Sequence, residues 1–271
     1  MANKLNSARL LTVIGVLMMT FITNAQTDTV PNLPVKVHHI EPLYIDLVRD
    51  LGARKGEKEI NLAADFTNTK DYSEYGVLAE YEFAPIDRLG LEIETDFLFY
   101  KRIGSTYNVP GNKLESLRLS AQYSFWVSPK YNTTMALGYT QVFEFTDFDH
   151  YDDSQLVTGL IYSPFFIAAK RWTSNFYSLL FTGPLLTHAF HTSATTMEWQ
   201  INPSFHYTLP NSPHFIGVEF NGLLGDEFEM VMRPQAKLQL NKELALGIVT
   251  GFPLTKSEEK FSTFFRVIYE L

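Results

Sequence analysis

The chain contains no cysteine, which excludes thiol catalysis, cysteine-ligated zinc and a disulfide framework. Cations are scarce: 22 Lys and Arg stand against 30 Asp and Glu. With no basic stripe, the chain is a poor nucleic-acid ligand. No apolar run after residue 25 reaches the length of about 20 residues that a transmembrane helix needs. Phosphate loops, dinucleotide fingerprints and zinc-protease motifs are also missing, so the sequence implies no cofactor. What it does have is 14 % aromatic residues (Phe 22, Tyr 14, Trp 3) at a mean hydropathy of only −0.07. Apolar surface that leaves the average near zero is hidden in alternation, as it is in barrel strands.

The first 25 residues read as an export signal. Lys4 and Arg9 give a positive start, 10–22 is an apolar run too short to span a bilayer, and Thr23-Asn24-Ala25 is a small-residue cleavage site. The expected mature chain starts near Gln26 and is still more acidic. A tail over 26–36 precedes a predicted short helix over 42–52. Pro42 opens it, Leu43, Leu47 and Leu51 follow at i, i+4 and i+8, and Gly52 ends it. Residues 26–56 are thus expected as a periplasmic segment or a small plug at a barrel mouth.

From Glu57 the period becomes two. Ile60, Leu62, Ala64 and Phe66 alternate with Asn61, Ala63 and Asp65. Tyr75, Val77, Ala79, Tyr81 and Phe83 alternate with Glu80 and Glu82, and Ile93, Thr95 and Phe97 with Glu92, Glu94 and Asp96. Short turns at 85–88, 128–132, 170–175, 209–213 and 241–242 fall at every second connection. Longer polar stretches, notably 101–113 and 144–153, lie between them. Alternation is blurred over 156–168 and 176–190. Pro203 and Pro234 interrupt two runs, where a bulge or a strand end is expected. The last residues repeat the pattern, with Phe265, Val267, Tyr269 and Leu271 against Phe264, Arg266, Ile268 and Glu270. This resembles the closing strand of an outer-membrane barrel.

The fold class that follows is all-β: an antiparallel transmembrane β-barrel of about twelve strands (10–14) over 57–271, behind a signal peptide (1–25) and an N-terminal segment (26–56). The competing class is a secreted β-sandwich, whose apolar faces would form a packed core. Charges inside strands favour the barrel, because a lumen can supply water and counter-ions. The expected partners are outer-membrane lipid, the barrel-assembly machinery and a small solute or cation, with no nucleic acid.

The segment His39-Ile40-Glu41-Pro42-Leu43-Tyr44-Ile45-Asp46 matches seven letters of the octapeptide that names the HAEPLYID family, with Ile40 where the name has Ala. This stretch, which continues through Leu47-Val48-Arg49-Asp50-Leu51-Gly52 to Glu59, resembles that family's signature. The resemblance implies an exported, outer-membrane β-barrel-like protein of Bacteroidota and supplies no catalytic residue.

The residues expected to line the lumen are the acids Asp65, Glu80, Glu82, Glu92, Glu94 and Asp96, with the cations Arg118, Arg233, Lys237 and Arg266. They would form either a cation-selective wall or a self-neutralised polar core. Other chemistry is thinner. His191-Thr192-Ser193 resembles faintly the His-x-Ser of outer-membrane phospholipase A, and Ala194-Thr195 stands where that family has Asn-Gly. A barrel lipid hydrolase using His191 and Ser193 is the enzymatic alternative to a non-enzymatic barrel. His38, His39 and Glu41, or His150 with Asp147, Asp149, Asp152 and Asp153, are weak candidates for a divalent cation, and no metal site is expected.

Overall fold

A computed structural model of the protein describes residues 33–45, 47–103, 109–152, 155–256 and 261–271. Pro34–Leu271 form the second of two units into which the chain divides. The expected signal peptide lies outside the described residues.

Among the described residues twelve strands form the second unit's wall: β1 (Lys58–Asn68), β2 (Tyr72–Ile86), β3 (Leu89–Arg102), β4 (Lys113–Ser128), β5 (Thr133–Phe145), β6 (Val157–Arg171), β7 (Phe176–Ala189), β8 (Ala194–Thr208), β9 (Phe215–Leu224), β10 (Phe228–Gln239), β11 (Leu244–Pro253) and β12 (Phe261–Glu270). Each pairs antiparallel with its neighbours, and β12 closes on β1 through Ile60↔Tyr269 and Phe66↔Thr263. The sheet therefore has no free edge. This closed barrel rules out the sandwich. No helix among the described residues is long and apolar enough to cross a membrane, and the one helical element is a 3-10 turn, Phe148–His150.

The period-two pattern sorts by side. In β12, Phe264, Arg266 and Ile268 are buried while Phe265, Val267 and Tyr269 are exposed; in β1, Asn61 and Ala63 are buried while Ile60 and Leu62 are exposed. The outward row is thus apolar, while the inward row mixes polar residues with apolar ones that pack on residues 40–51. The connections 87–88, 129–132, 172–175, 209–214 and 240–243 share one end. The other end carries the long 103–112 and 146–156, but also 69–71, 190–193 and 225–227, so the expected short-long alternation holds only in part. Pro203 and Pro234 are neither bulges nor strand ends. Each sits mid-strand, paired on one side to Leu180 and Val218, while the ladder on the other side skips it with the register unchanged. The register shifts lie elsewhere, at Phe83/Ile86, Asp96/Phe97, Tyr123/Trp126 and Glu144/Phe145.

The predicted helix over 42–52 does not form. Those residues run as bends and turns inside the barrel and plug its short-turn half. Leu43, Leu47 and Leu51 are buried as the spacing required, but on two sides of the lumen. Leu43 packs with Ile40, Ala245, Val249, Phe264 and Ile268. Leu47, Val48 and Leu51 pack with Ala136, Phe165, Ile167, Ala169, Leu179 and Phe181. An isolated helix this short is marginal in water. Here the wall offers the backbone other partners: Leu43 N–H donates to Gln235 (2.7 Å), Ile45 N–H to Glu219 (2.9 Å) and Gly52 N–H to Ser124 (2.8 Å), while Gln122 donates to the Arg49 carbonyl (2.6 Å). Two glycines permit this path. Gly52 sits at φ 77, and a Cβ on Gly90 would lie 2.5 Å from Arg49 Cβ.

Leu47 is 1 % exposed, so Leu47→Ala is expected to cost the plug about 2–5 kcal/mol of docking without opening the ladder. Limited trypsin digestion should then cut at Arg49 and Lys55 in the variant and spare them in the parent, with barrel migration on unheated gels unchanged in both.

Candidate functional site

The site is the lumen, built where β1–β4 and β12 bring inward carboxylates into register. Glu80 faces Glu94 and Glu82 faces Glu92 across β2–β3, and Glu59 faces both Glu82 and Glu270. Like charges directly opposite are destabilising, so each set has acquired a cation or a neutral donor. Arg49 reaches from the plug to Glu59 (2.9 Å), Glu82 (3.3 Å) and Glu270 (2.8 Å). Arg266 holds Glu80 at 3.1 Å, and Arg118 holds Glu94 at 3.0 Å and Asp96 at 3.3 Å. Asn61, wholly buried, donates to Glu59, Glu80 and Glu82. Glu92 is served by the Ser120 hydroxyl at 2.8 Å. These seven carboxylates meet three guanidiniums, so surplus negative charge in the wall must be compensated by cations or protons from solution.

Above the plug lies a cavity of ≈520 Å³, whose floor includes Tyr44, Ile45 and Val48 and whose wall includes Asp65, Glu92, Glu94, Asp96, Arg118 and Arg266. The expected lining residues thus split. Those six face the cavity. Glu80 is buried beside it, and Glu82 lies lower, on the plug's Arg49. Arg233 is buried, donates to Asn221 and Ser262, and covers the Tyr44 ring at 3.7 Å. Lys237 pairs with Phe215 near the short-turn end and does not border the cavity. Sequence reasoning missed Arg49, Glu59, Asn61, Glu219 and Glu270. Strand parity with Asp65 marked Glu59 and Asn61, whereas Arg49 lay hidden in the expected helix.

The octapeptide docks the first half of the plug. His39 Nε2 lies 2.9 Å from Thr134 Oγ1, Glu41 is hydrogen-bonded to Asp50, and Tyr44 carries the Arg233 stack. Pro42 leads into Leu43 and its apolar cluster, and the N–H groups of Tyr44 and Ile45 both point at Glu219. Asp46 lies outside the described residues. Burial and the neighbouring Asp50 charge push Glu41 well above the usual carboxylate range, so it stays protonated beside Asp50.

The weaker candidates resolve simply. His191 and Ser193 are exposed in the turn between β7 and β8, Ser193 takes its left-handed position (φ 53), and no hydrogen bond joins them among the described residues. His150 bonds Asp147 at 2.6 Å on an exposed turn; Asp149 and Asp152 are exposed as well, and Asp153 lies outside the described residues. Among the described residues, ligand atoms of three or more such groups converge to within 4.8 Å only at Glu80, Glu92 and Glu94. That is a set of hard oxygen donors of the kind that suits Mg²⁺ or Ca²⁺.

Burial, with the cations His38 and Arg171 adding to it, pushes the His39 imidazole down to about 4. A released plug would titrate near the ordinary value of about 6.5. Below that pH the released state binds more protons at His39, so the His39 contribution to docking is lost as pH falls from about 6.5 to about 4, while Glu41, protonated when docked and ionised when released, adds an opposite slope above about 4.5. The expected slope from His39 is up to about 1.4 kcal/mol per pH unit. The chain lacks cysteine, so a spin label on Lys55→Cys can report it. Through this window its mobility in the parent should rise relative to that in the protein with His39→Gln added as pH falls, the difference between the two reporting the His39 contribution.

The sequence matches no functionally curated protein. The structure is similar to the COG4313 outer membrane channel from Pseudomonas putida F1, at TM-score 0.66 and 12 % identity, over 82 % of this chain and 98 % of that one. It is also similar to the KdgM porin, at TM-score 0.54 and 12 % identity, over 79 % and 99 % of the two chains. A KdgM complex with disordered oligogalacturonate aligns with TM-score 0.52 and 13 % identity, over 78 % and 97 %. At these identities the likeness shows the fold, that of outer-membrane channels and porins. The HAEPLYID-like family model matches residues 35–270, octapeptide, plug and barrel together, and the chain belongs to that family.

Proposed function

We propose that the protein is a non-enzymatic, porin-like outer-membrane barrel that passes small cations and is held shut by residues 34–56. The observation that carries this reading is the lumen itself, acid-rich along β1–β4 and closed on the short-turn side by a segment with no regular structure. The outward rows of Leu62, Val77, Ile93, Leu119, Phe265 and Val267, all exposed, suit hydrocarbon. Their place in a closed wall supports outer-membrane lipid as the surrounding partner and the barrel-assembly machinery as the route of insertion. Rings of carboxylates favour cations. A polyanion such as the oligogalacturonate in the KdgM complex would meet Asp65, Glu92, Glu94 and Asp96 with only Arg118 and Arg266 to offset them.

Arg49 is the strongest polar attachment of the plug. Breaking a buried ion cluster by removing one partner costs about 3–5 kcal/mol, so Arg49→Gln should favour the open state. In planar bilayers the parent is expected to show rare openings, and Arg49→Gln frequent ones with a reversal potential close to that of the cation under a KCl gradient. An unselective or anion-selective current would refute the cation assignment. No current in either protein, at any voltage, would refute the passage.

A further inference from the structure

The cavity above the plug has two unlike sides. Asp65, Glu92 and Asp96 border it from β1 and β3. Val142, Ile161, Phe165 and Phe181 border it from β5–β7, interrupted by the hydroxyls of Thr140 and Ser163. Phe165 and Phe181 stack with ring centres 4.7 Å apart. Glu92 differs from its neighbours. It is 7 % exposed, borders the cavity and takes one hydrogen bond from Ser120, yet no ammonium or guanidinium lies within ion-pair distance of it among the described residues. Arg118 is engaged by Glu94 and Asp96.

The plug shows independently what this wall accepts. Arg49 lies on the carboxylates of β1, β2 and β12, while Leu47, Val48 and Leu51, its neighbours in sequence, lie on the apolar residues of β5–β7. One short segment thus presents a cation to one side of the lumen and an apolar body to the other. We infer that the cavity binds an organic cation with a ring-sized apolar body, its ammonium on Glu92 and its body against the β5–β7 side. The volume of ≈520 Å³ falls in the range of small-molecule sites, about 300–1,000 Å³. A hydrated inorganic ion would leave the apolar side wetted. A neutral aromatic would leave Glu92 without its counter-charge. The inference names the solute class for the passage proposed above and rests on that reading for its role in transport.

The test is calorimetric titration of the full chain in detergent with four probes: 3-phenylpropylammonium, 3-phenylpropanol, methylammonium and 3-phenylpropionate. The aryl ammonium should bind at least about tenfold tighter than each of the others. Glu92→Gln should weaken it about tenfold, the size expected for loss of a charged hydrogen-bond partner, and leave the alcohol unchanged. Ile161→Ser, which makes the β5–β7 side polar, should weaken ammonium and alcohol alike. Each variant is read only after its gel migration shows a closed barrel. Equal binding of methylammonium or of the alcohol, or a Glu92→Gln protein that binds the aryl ammonium unchanged, overturns the ligand. If Arg49→Gln pores carry cation current while the probes bind alike, the ligand falls and the passage stands. If the aryl ammonium binds as expected and no plug variant conducts, the ligand stands and the passage falls.

Discussion

One guanidinium sits at the seam where this barrel closes. Closure demands that β12 lie on β1, and that register sets Glu270 opposite Glu59, which itself faces Glu82 on β2. Three carboxylates therefore meet on the inner face of three adjacent strands, β12, β1 and β2. Arg49 touches all three and is 2 % exposed. A barrel of twelve strands has room inside it, and this one fills its short-turn half with a segment whose single buried cation completes the closing strands. Plug docking and barrel closure are consequently linked through the same charges.

The plug's lack of regular structure is the condition that makes this linkage adjustable. A helix would satisfy its own backbone and lean on the wall only through side chains. Residues 34–56 instead borrow acceptors and donors from Glu219, Gln235, Ser124 and Gln122, as buried backbone must when it has no ladder of its own. Those wall groups are polar, so withdrawal of the plug exposes them to water rather than leaving them orphaned. The apolar clusters around Leu43 and around Leu47, Val48 and Leu51 set the opposing term, since their burial is lost when the segment leaves.

How much of this the sequence disclosed depends on which side a residue faces. Alternation located the strands wherever the lumen face is largely polar, as in β1–β4, and it marked β12 as the closing strand. It blurred in β6 and β7 for a physical reason: Phe165, Ile167, Leu179 and Phe181 face inward yet are apolar, because they pack on the plug. The blur was a record of the plug, although it read as noise. The Leu43, Leu47, Leu51 spacing reported burial correctly and conformation wrongly, since partners on two sides of the lumen can bury such a series without a helix. Arg49 was invisible for the same reason, whereas the acids it serves were legible from parity. The octapeptide identified the family and left its own role open; the contacts of His39, Leu43, Tyr44 and Ile45 supply that role.

The division of the lumen into an acidic side and an apolar side has a consequence for how the segment and a solute share it. Cavity and plug meet at Tyr44, Ile45 and Val48, and Val48 belongs to the same apolar cluster that includes Phe165 and Phe181. A solute pressed onto that side touches residues that also hold the plug. Its cation, on Glu92, lies one register step from Glu82, the carboxylate that Arg49 uses. Added positive charge there weakens the pull of the acidic side on Arg49, and added apolar contact replaces part of what Val48 provides. Both effects run in one direction, toward release. On the proposed reading, a cation with an apolar body would be held by this lumen and would loosen its closure through the same residues, whereas an inorganic cation would act on the charge alone and a neutral ring on the apolar contact alone.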